Sequence, residues 1–153
     1  MQEAPGLRHL ADLDVELAAP IELGDSPRGR RRIIPIIGGT VTGERLSGEI
    51  LNLGADWQTV LSDGTAELDT RYAMRSHDGA SIDIRNFGYR HGPKDVLDAL
   101  GRGEAVDPSL YYMRTQPRFE TGDARYAWLN RIVCIGTGAR LANGVRVSFF
   151  EVL

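Results

Sequence analysis

Two carboxylates stand out as candidate acid–base groups because aromatic and amide side chains surround them inside apparent β-strands. Asp56 lies between Ala55 and Trp57, and Glu120 follows Phe119. A strand that serves only for packing alternates aliphatic and solvated positions, whereas polar groups beside Tyr and Trp are typical of a small-molecule pocket. If both carboxyl groups face one cavity from different surroundings, one acts as a general acid and the other as a general base.

Each carboxylate also has an ordinary interpretation. Asp56 can cap a turn or pair with an arginine, and Glu120 can lie at the surface or pair with an arginine. Desolvation raises the pKa of a carboxyl group that points into an apolar lumen, so burial decides between these readings. The sequence leaves open whether the two side chains share a cavity.

The candidate substrate-binding residues are aromatic, arginine and amide side chains near these carboxylates. Arginine is a natural clamp for a carboxylate or an enolate, but a solvated outer face is the alternative for each arginine. Strand alternation shows which residues share a face, not which face lines a lumen. For the aromatic and amide group near residue 128, ordinary core is the alternative. The predicted binding residues are Trp57, Arg71, Tyr112, Arg114, Tyr126, Trp128 and Asn130.

Composition limits the class of protein. The chain has 153 residues, 42% of them hydrophobic and 25% charged, which predicts one globular domain over residues 1–153. The net charge of -3 argues against a nucleic-acid partner. Neither a signal peptide nor a membrane-spanning apolar run is visible, so we expect a cytoplasmic protein without a membrane partner. The three histidines are scattered and no dinucleotide fingerprint is present, so we expect neither a metal site nor a cofactor.

The hydrophobic pattern has period two along most of the chain, which predicts β-strands. Asp63-Gly64, Asp78-Gly79 and Asn143-Gly144 predict hairpins with type I′ turns. Only Gly92–Gly101, with proline near its start and glycine at its end, predicts a short helix. About nine strands in meander order favour a single antiparallel β-barrel, closed or nearly closed, of eight to ten strands with one short helix. A β-sandwich is the alternative.

Two segments near the barrel strands have their own interpretations. Arg32–Gly38 predicts a strand whose proline places it at an edge or a bulge. The run Arg28–Arg32 before it is basic enough for an anion or nucleic-acid patch, but its position between Pro27 and an apolar strand favours a solvated turn. Near the other end of the chain, Asn130–Leu141 predicts a strand that pairs with Val145–Leu153.

An ordered set of motifs resembles a known family. The chain is similar to domain-of-unknown-function family 3237, a bacterial and fungal family, over roughly residues 7 to 153. The resemblance implies a small β-barrel like the allene-oxide-cyclase and lipocalin-like barrels, whose relatives include cyclases, isomerases and plain binders. Fold alone does not decide among these functions. The motifs are Ile34–Gly39, Gly54–Gln58, Asp63-Gly64, Arg71-Tyr72, Asp78–Ala80, Tyr111–Arg114, Pro117, Phe119–Thr121 and Tyr126–Asn130.

Three functions are compatible with these residues. The first is an isomerase, cyclase or lyase that needs no cofactor and acts on a small, partly apolar metabolite, with Asp56 and Glu120 moving protons. The second is a lipocalin-like carrier that uses the same pocket without chemistry. The third is an interaction module that uses an outer sheet face, with its aromatic residues packed as core. A homo-oligomer is compatible with all three.

Overall fold

The computed structural model describes all 153 residues, which form nine antiparallel strands, one α-helix and two short 3₁₀ helices. The strands are β1 (Leu7–Leu17), β2 (Ile21–Ser26), β3 (Gly29–Thr42), β4 (Gly48–Val60), β5 (Ala66–Ser76), β6 (Ser81–His91), β7 (Tyr112–Glu120), β8 (Cys134–Leu141) and β9 (Gly144–Val152). The helix α1 covers Lys94–Gly101, and the 3₁₀ helices cover Pro108–Leu110 and Ala124–Arg131.

Eight of the nine strands close into a barrel. They follow the order β1-β9-β8-β7-β6-β5-β4-β3, and β3 pairs with β1 to complete the ring. The closure is possible because β3 is long: its first part, Gly29–Ile33, pairs with the extra strand β2, and Ile36–Thr42 pairs with β1. The predicted antiparallel barrel is therefore confirmed, and the sandwich alternative is excluded.

The proline of β3 lies at an irregularity, as its sequence predicts. The β3–β4 register shifts between Pro35 and Gly39, so the ladder does not need the missing N–H of the proline. Gly39 has φ +140°, and a Cβ there would collide with the backbone carbonyl oxygen of Asp14 on β1. Glycine at this position therefore lets β1 and β3 approach closely enough to close the barrel.

The hairpin positions agree with the sequence, but the turn type does not. Asp63-Gly64 lies in the turn between β4 and β5, and Asp78-Gly79 lies in the turn between β5 and β6. Ala142 and Asn143 join β8 to β9, and Gly144 is already the first residue of β9. No residue other than glycine has positive φ, so these turns are not type I′, which needs positive φ at both central residues. Gly64 and Gly79 alone supply the left-handed conformation, with φ of 87° and 94°.

Two further local predictions are wrong. The basic run forms a turn only at its start, since Gly29–Arg32 is already the paired first part of β3. Asn130–Leu141 is a strand only from Cys134 onward. The segment before it, Ala124–Arg131, is a 3₁₀ helix, and the Asp123 side chain accepts a hydrogen bond from the Arg125 N–H at its start. This cap satisfies a backbone donor locally and favours a helical turn over a ladder.

The 3₁₀ helix Ala124–Arg131 packs against β7 and closes one end of the barrel, which we call the plugged end. Its Tyr126 and Leu129 belong to a cluster of 19 buried residues. At the other end, which we call the open end, α1 covers a smaller cluster of five buried residues that includes Leu68 and Leu100. Between the two clusters several inward positions are polar, and there the candidate site lies.

Candidate functional site

A cavity of about 60 Å³ lies inside the barrel between the two apolar clusters. This space is enough for a few water molecules or for the reacting part of a small substrate. Nine of its 16 lining residues are hydrophobic, among them Val15, Ile36, Tyr72 and Val147. The polar lining residues are Asp56, Gln58, Thr70, Asn86, Arg90, Thr115 and Arg140. An apolar wall with a few convergent polar groups is the usual composition of a small-molecule site.

Asp56 is the acidic residue of the cavity wall. Strand alternation in β4 points Asp56 and Gln58 inward and Trp57 outward, and Asp56 is only 9% exposed. Its Oδ1 accepts the backbone N–H of Asp69 at 2.9 Å, and its Oδ2 accepts the Gln58 side-chain amide at 3.0 Å. Burial raises the pKa of the Asp56 carboxyl above its ordinary value, although these two hydrogen bonds favour the ionised form.

A short relay holds the Asp56 carboxyl in position. Arg32 Nε donates to Gln58 Oε1 at 2.7 Å, and Gln58 Nε2 donates to Asp56. Because a guanidinium has only donors, the carbonyl oxygen of the amide must face Arg32, which leaves the NH₂ group for the carboxylate. The orientation of Gln58 is therefore determined by its two neighbours, and the carboxyl group is fixed against β4.

Arginine side chains surround this single carboxyl group. Arg90 of β6 is 9% exposed, and burial together with repulsion by Arg140 and Arg32 lowers its pKa to about 10, against the opposing attraction of Asp56. Burial is also the main cause that lowers the pKa of Arg32, followed by repulsion from Arg140. None of the three arginines Arg32, Arg90 and Arg140 forms an ion pair, although the chain contains eleven ion pairs at other positions.

Three polar atoms of the cavity wall lack a hydrogen-bond partner in the protein. They are Asn86 Oδ1, Arg90 Nε and Thr115 Oγ1, all buried. Thr115 of β7 lies opposite Gly88, so it stands between Asn86 and Arg90 on the neighbouring strand. Because buried polar groups are nearly always hydrogen-bonded, three unpartnered atoms on neighbouring positions indicate bonding capacity that water or a ligand in the cavity would satisfy.

Tyr72 contributes an aromatic side chain with a hydroxyl group to the cavity wall. It is 2% exposed, and burial raises the pKa of its phenol. The side chain is therefore neutral at ordinary pH and acts as an apolar surface with one polar tip.

Of the predicted site residues, the structure places only Asp56 in this cavity. Glu120 is exposed at the end of β7, on the outer face with Asp83, Arg85 and Arg118. The alternation of β7 turns Met113 inward and Glu120 outward. The condition for a two-carboxylate mechanism, that both carboxyl groups face one cavity, is therefore not met, and the predicted catalytic residue Glu120 lies outside the site.

Four of the predicted binding residues point away from the barrel interior. Trp57 is 40% exposed, and the Arg71 guanidinium lies 3.5 Å from the Asp83 carboxylate on the outer surface. The exposed Tyr112 stacks on His91, and Arg114 lies over the Tyr112 ring at 5.4 Å. These contacts stabilise the outer face of the sheet and leave the cavity wall to other residues.

The remaining three predicted residues belong to the plugged end. The Tyr126 hydroxyl donates to Asp78 at 2.7 Å, and the Arg45 guanidinium lies 4.2 Å from the centre of the Trp128 ring. Asn130 accepts the Thr121 N–H and donates to the Thr121 carbonyl oxygen. These contacts are ordinary packing at the plugged end of the barrel, which corresponds to the alternative given for this group of residues.

The residue types alone do not identify most of the polar residues of the cavity wall. The alternation of buried and exposed positions in β6, however, indicates some of them. Ile82 and Ile84 mark the inward face of that strand, and the same alternation reaches Asn86 and Arg90. Two buried apolar positions followed on the same face by an amide and an arginine indicate that the lumen becomes polar. Arg32 and Arg140 carry no such signal, because each lies near the end of its strand, where too few inward positions precede or follow it to mark the face.

Comparison with known proteins places the chain in a family. The family model described as "Protein of unknown function (DUF3237)" matches residues 5–152. The chain belongs to the DUF3237 family. The resemblance carried by the sequence motifs is thereby confirmed.

Relatives of this DUF3237 chain share its fold along the whole length. UPF0311 protein RPA1785 from Rhodopseudomonas palustris is 45% identical over 130 residues, which cover 85% of each chain. Its crystal structure superposes with a TM-score of 0.94 and covers 100% of both chains. A beta-barrel like protein from Acinetobacter baumannii AYE is 44% identical with a TM-score of 0.88, and the match covers 100% of this chain and 99% of that one.

A more distant structure shows the same barrel. An enzyme from Penicillium herquei is 18% identical with a TM-score of 0.76, over 100% of this chain and 98% of that chain. At this identity the likeness concerns the fold alone.

Within the DUF3237 chain itself, no helix has both the length and the apolar character needed to cross a membrane. His, Cys, Asp and Glu side chains do not gather in groups of three or more.

Proposed function

We propose that the protein binds a small, partly apolar molecule in the barrel cavity and that Asp56 moves a proton on it. The observation that carries this proposal is the Asp56 carboxyl itself, buried in a cavity whose wall presents unpartnered polar atoms. An acid–base catalyst works best when its pKa lies near the operating pH, and burial shifts the pKa of Asp56 in that direction.

One carboxyl group suits a reaction in which a proton leaves one atom of the substrate and returns to another. The ionised Asp56 takes a proton, and the resulting carboxylic acid gives it back at a second position. The substrate gains and loses no atoms, so the product is an isomer or a cyclised form. Since Glu120 lies outside the cavity, this single-residue shuttle replaces the two-carboxylate mechanism expected from the sequence.

The arginines supply the electrostatic part of this mechanism. Removing a proton from the substrate adds negative charge to it, and Arg90 and Arg140 line the same cavity. Fixed positive groups in a desolvated site stabilise charge that develops during a reaction without reorganising first. The Arg32–Gln58 relay keeps the Asp56 carboxyl oriented while its charge changes.

A non-catalytic carrier of lipocalin type is the second candidate, and the hydrophobic character of nine of the 16 lining residues favours it. The barrel fold is compatible with either function, since it occurs in the Penicillium herquei enzyme and fold does not decide function. The ionisable groups of this chain favour chemistry, because apolar carriage needs neither a buried carboxyl nor several arginines around it.

The test begins with native mass spectrometry of freshly purified protein, which identifies any retained molecule as the substrate candidate. Incubating that compound in D₂O then shows by NMR whether it isomerises and takes up deuterium. We expect turnover by the wild type and a loss of at least about 100-fold in Asp56→Ala, as for removal of an acid–base catalyst. Alanine is used instead of asparagine because the NH₂ group of an asparagine amide would face Gln58 Nε2, which is itself a hydrogen-bond donor.

Glu120→Ala is the matched control, since Glu120 is a carboxylate that lies exposed on the outer face of β7. It should keep wild-type turnover. Full turnover by a folded Asp56→Ala variant would overturn the acid–base role, and binding of a retained compound without any conversion would establish the carrier instead.

A further inference from the structure

We propose that the ligand of this cavity is an amphipathic organic carboxylate, with its acid group held by Arg90 and Arg140 and its apolar part against the aliphatic wall. The inference rests on the proposed function in one respect, since it takes the barrel cavity to be the binding site. It adds the chemical class of the ligand, which acid–base chemistry at Asp56 does not specify.

The first step is the balance of charge around the cavity. Arg90 and Arg140 line it, and Arg32 reaches its wall through Gln58. Asp56 is the one acidic residue among the 16 lining residues. Three guanidinium groups and one carboxyl group leave an excess of two positive charges when Asp56 is ionised. The excess is three when Asp56 is protonated.

The second step is the cost of this arrangement. A buried charge without a partner is expensive, and folded proteins ordinarily pair it. Where guanidinium groups meet a buried carboxylate elsewhere in this chain, they are paired with it: Arg8 and Arg45 both bind Glu151. Arg90 is as buried as Glu151 and has no ion-pair partner, so a ligand with negative charge would complete the electrostatics of the site.

The third step is the geometry of the unpartnered donors. Arg90 Nε has no acceptor in the protein, and Thr115 Oγ1 on the neighbouring strand has no partner. A carboxylate accepts two parallel hydrogen bonds from the planar edge of a guanidinium and a further one from a hydroxyl. The pair Arg90 and Thr115 therefore matches the acceptor pattern of one carboxylate group.

The last step distinguishes an organic acid from an inorganic anion. Val15, Ile36 and Val147 form an aliphatic surface in the same cavity as the arginines. An inorganic anion would leave that surface without a contact, whereas the hydrocarbon part of an organic acid buries it. Leu17, Arg140 and Val145 are only partly buried, which marks the open end as the side from which such a molecule enters.

Isothermal titration calorimetry on the full chain tests this assignment with matched pairs of probes. The carboxylates are 3-phenylpropionate and octanoate, the neutral partners are 3-phenylpropan-1-ol and octan-1-ol, and inorganic phosphate is the third class. We expect at least one carboxylate to bind and its alcohol to bind at least tenfold more weakly. We expect Arg90→Gln to weaken that carboxylate at least tenfold and Arg140→Gln to weaken it several-fold.

Arg71→Gln is the control, because Arg71 is exposed on the outer face and should leave binding unchanged. Arg140 is only partly buried, so its variant keeps the test available if Arg90→Gln fails to fold. Equal affinity for an alcohol and its acid, tighter binding of phosphate, unchanged binding in folded arginine variants, or no binding of either acid would each overturn the proposal.

This outcome is separable from that of the proposed function. Carboxylate binding that depends on Arg90, together with unaltered turnover in Asp56→Ala, would retain the anion site and remove the acid–base role. Turnover that depends on Asp56, together with a neutral retained substrate, would retain the acid–base role and remove the anion site.

Discussion

Asp56 and Glu151 are two inward carboxylates of one barrel that meet opposite environments. Each is 9% exposed. Glu151, near the plugged end, accepts hydrogen bonds from Arg45 and Arg8, both at 2.6 Å, and these lower the pKa of its carboxyl. Asp56 lies in the polar layer, has no ion pair, and its pKa is raised by burial.

The difference extends to the neighbours of each carboxylate. At the plugged end Tyr126 donates to Asp78, and Arg45 also lies over the Trp128 ring. At the cavity, Asn86, Arg90 and Thr115 each hold an atom without a partner. Polar groups that hold a fold together are paired within it, whereas groups that serve a ligand are left incomplete until it binds. We infer that the plugged end supplies stability and the cavity supplies function.

Of the changes that test this difference between the two regions, removal of the paired carboxylate of Glu151 should have the largest effect on the free energy of unfolding. Glu151→Gln leaves two guanidiniums facing a neutral amide, and we expect it to lower the free energy of unfolding by about 1–2 kcal/mol, a value reduced because both arginines are partly exposed. Urea denaturation at pH 7 measures this difference.

The pH dependence of the same variant gives a second check. The folded pKa of Glu151 is lowered, so its contribution is complete above the unfolded value of about 4.3 and is lost as pH falls through the folded value. The gap between wild type and Glu151→Gln should therefore shrink at pH 3. A gap that is absent at pH 7, or that widens in acid, would contradict the stabilising role of the pair.

A smaller effect of opposite direction is expected at the cavity. Arg140→Gln removes one of the mutually repelling charges around Arg90, so the unfolding free energy of the ligand-free protein should stay the same or rise by up to about 0.5 kcal/mol. Thermal or urea unfolding without added ligand measures it. A loss above about 1 kcal/mol would mean that Arg140 supports the fold, and the contrast between the two regions would fail.

The architecture was accessible from the sequence because its signals are local. Alternation marked the strands, Asp63-Gly64 and its counterparts marked hairpins, and Pro35 marked an irregularity in β3. The segment Tyr126–Asn130 resembles a strand because its aromatic and amide residues recur every second position, although Asp123 caps a 3₁₀ helix there. Local spacing does not record which backbone groups pair.

The site was less accessible because its composition depends on which face of each strand is inside. Asp56 was recognised from its apolar neighbours, but Tyr112 and Arg114 lie outside, where stacking on His91 gives an aromatic residue a stable place on a barrel surface. Arg32, Arg90 and Arg140 come from three strands, β3, β6 and β8. Only barrel closure brings them together, and no spacing in the sequence encodes that.

The most direct measurement is an NMR titration of the carboxyl carbons, with Asp56→Asn and Glu151→Gln used to assign the two signals. Asp56 should titrate above the ordinary aspartate value of 3.8, and Glu151 should titrate below the ordinary glutamate value of 4.5. An Asp56 carboxyl that titrates at or below its ordinary value would show a solvated or fully paired group, and it would contradict the assignment of the cavity as an acid–base site.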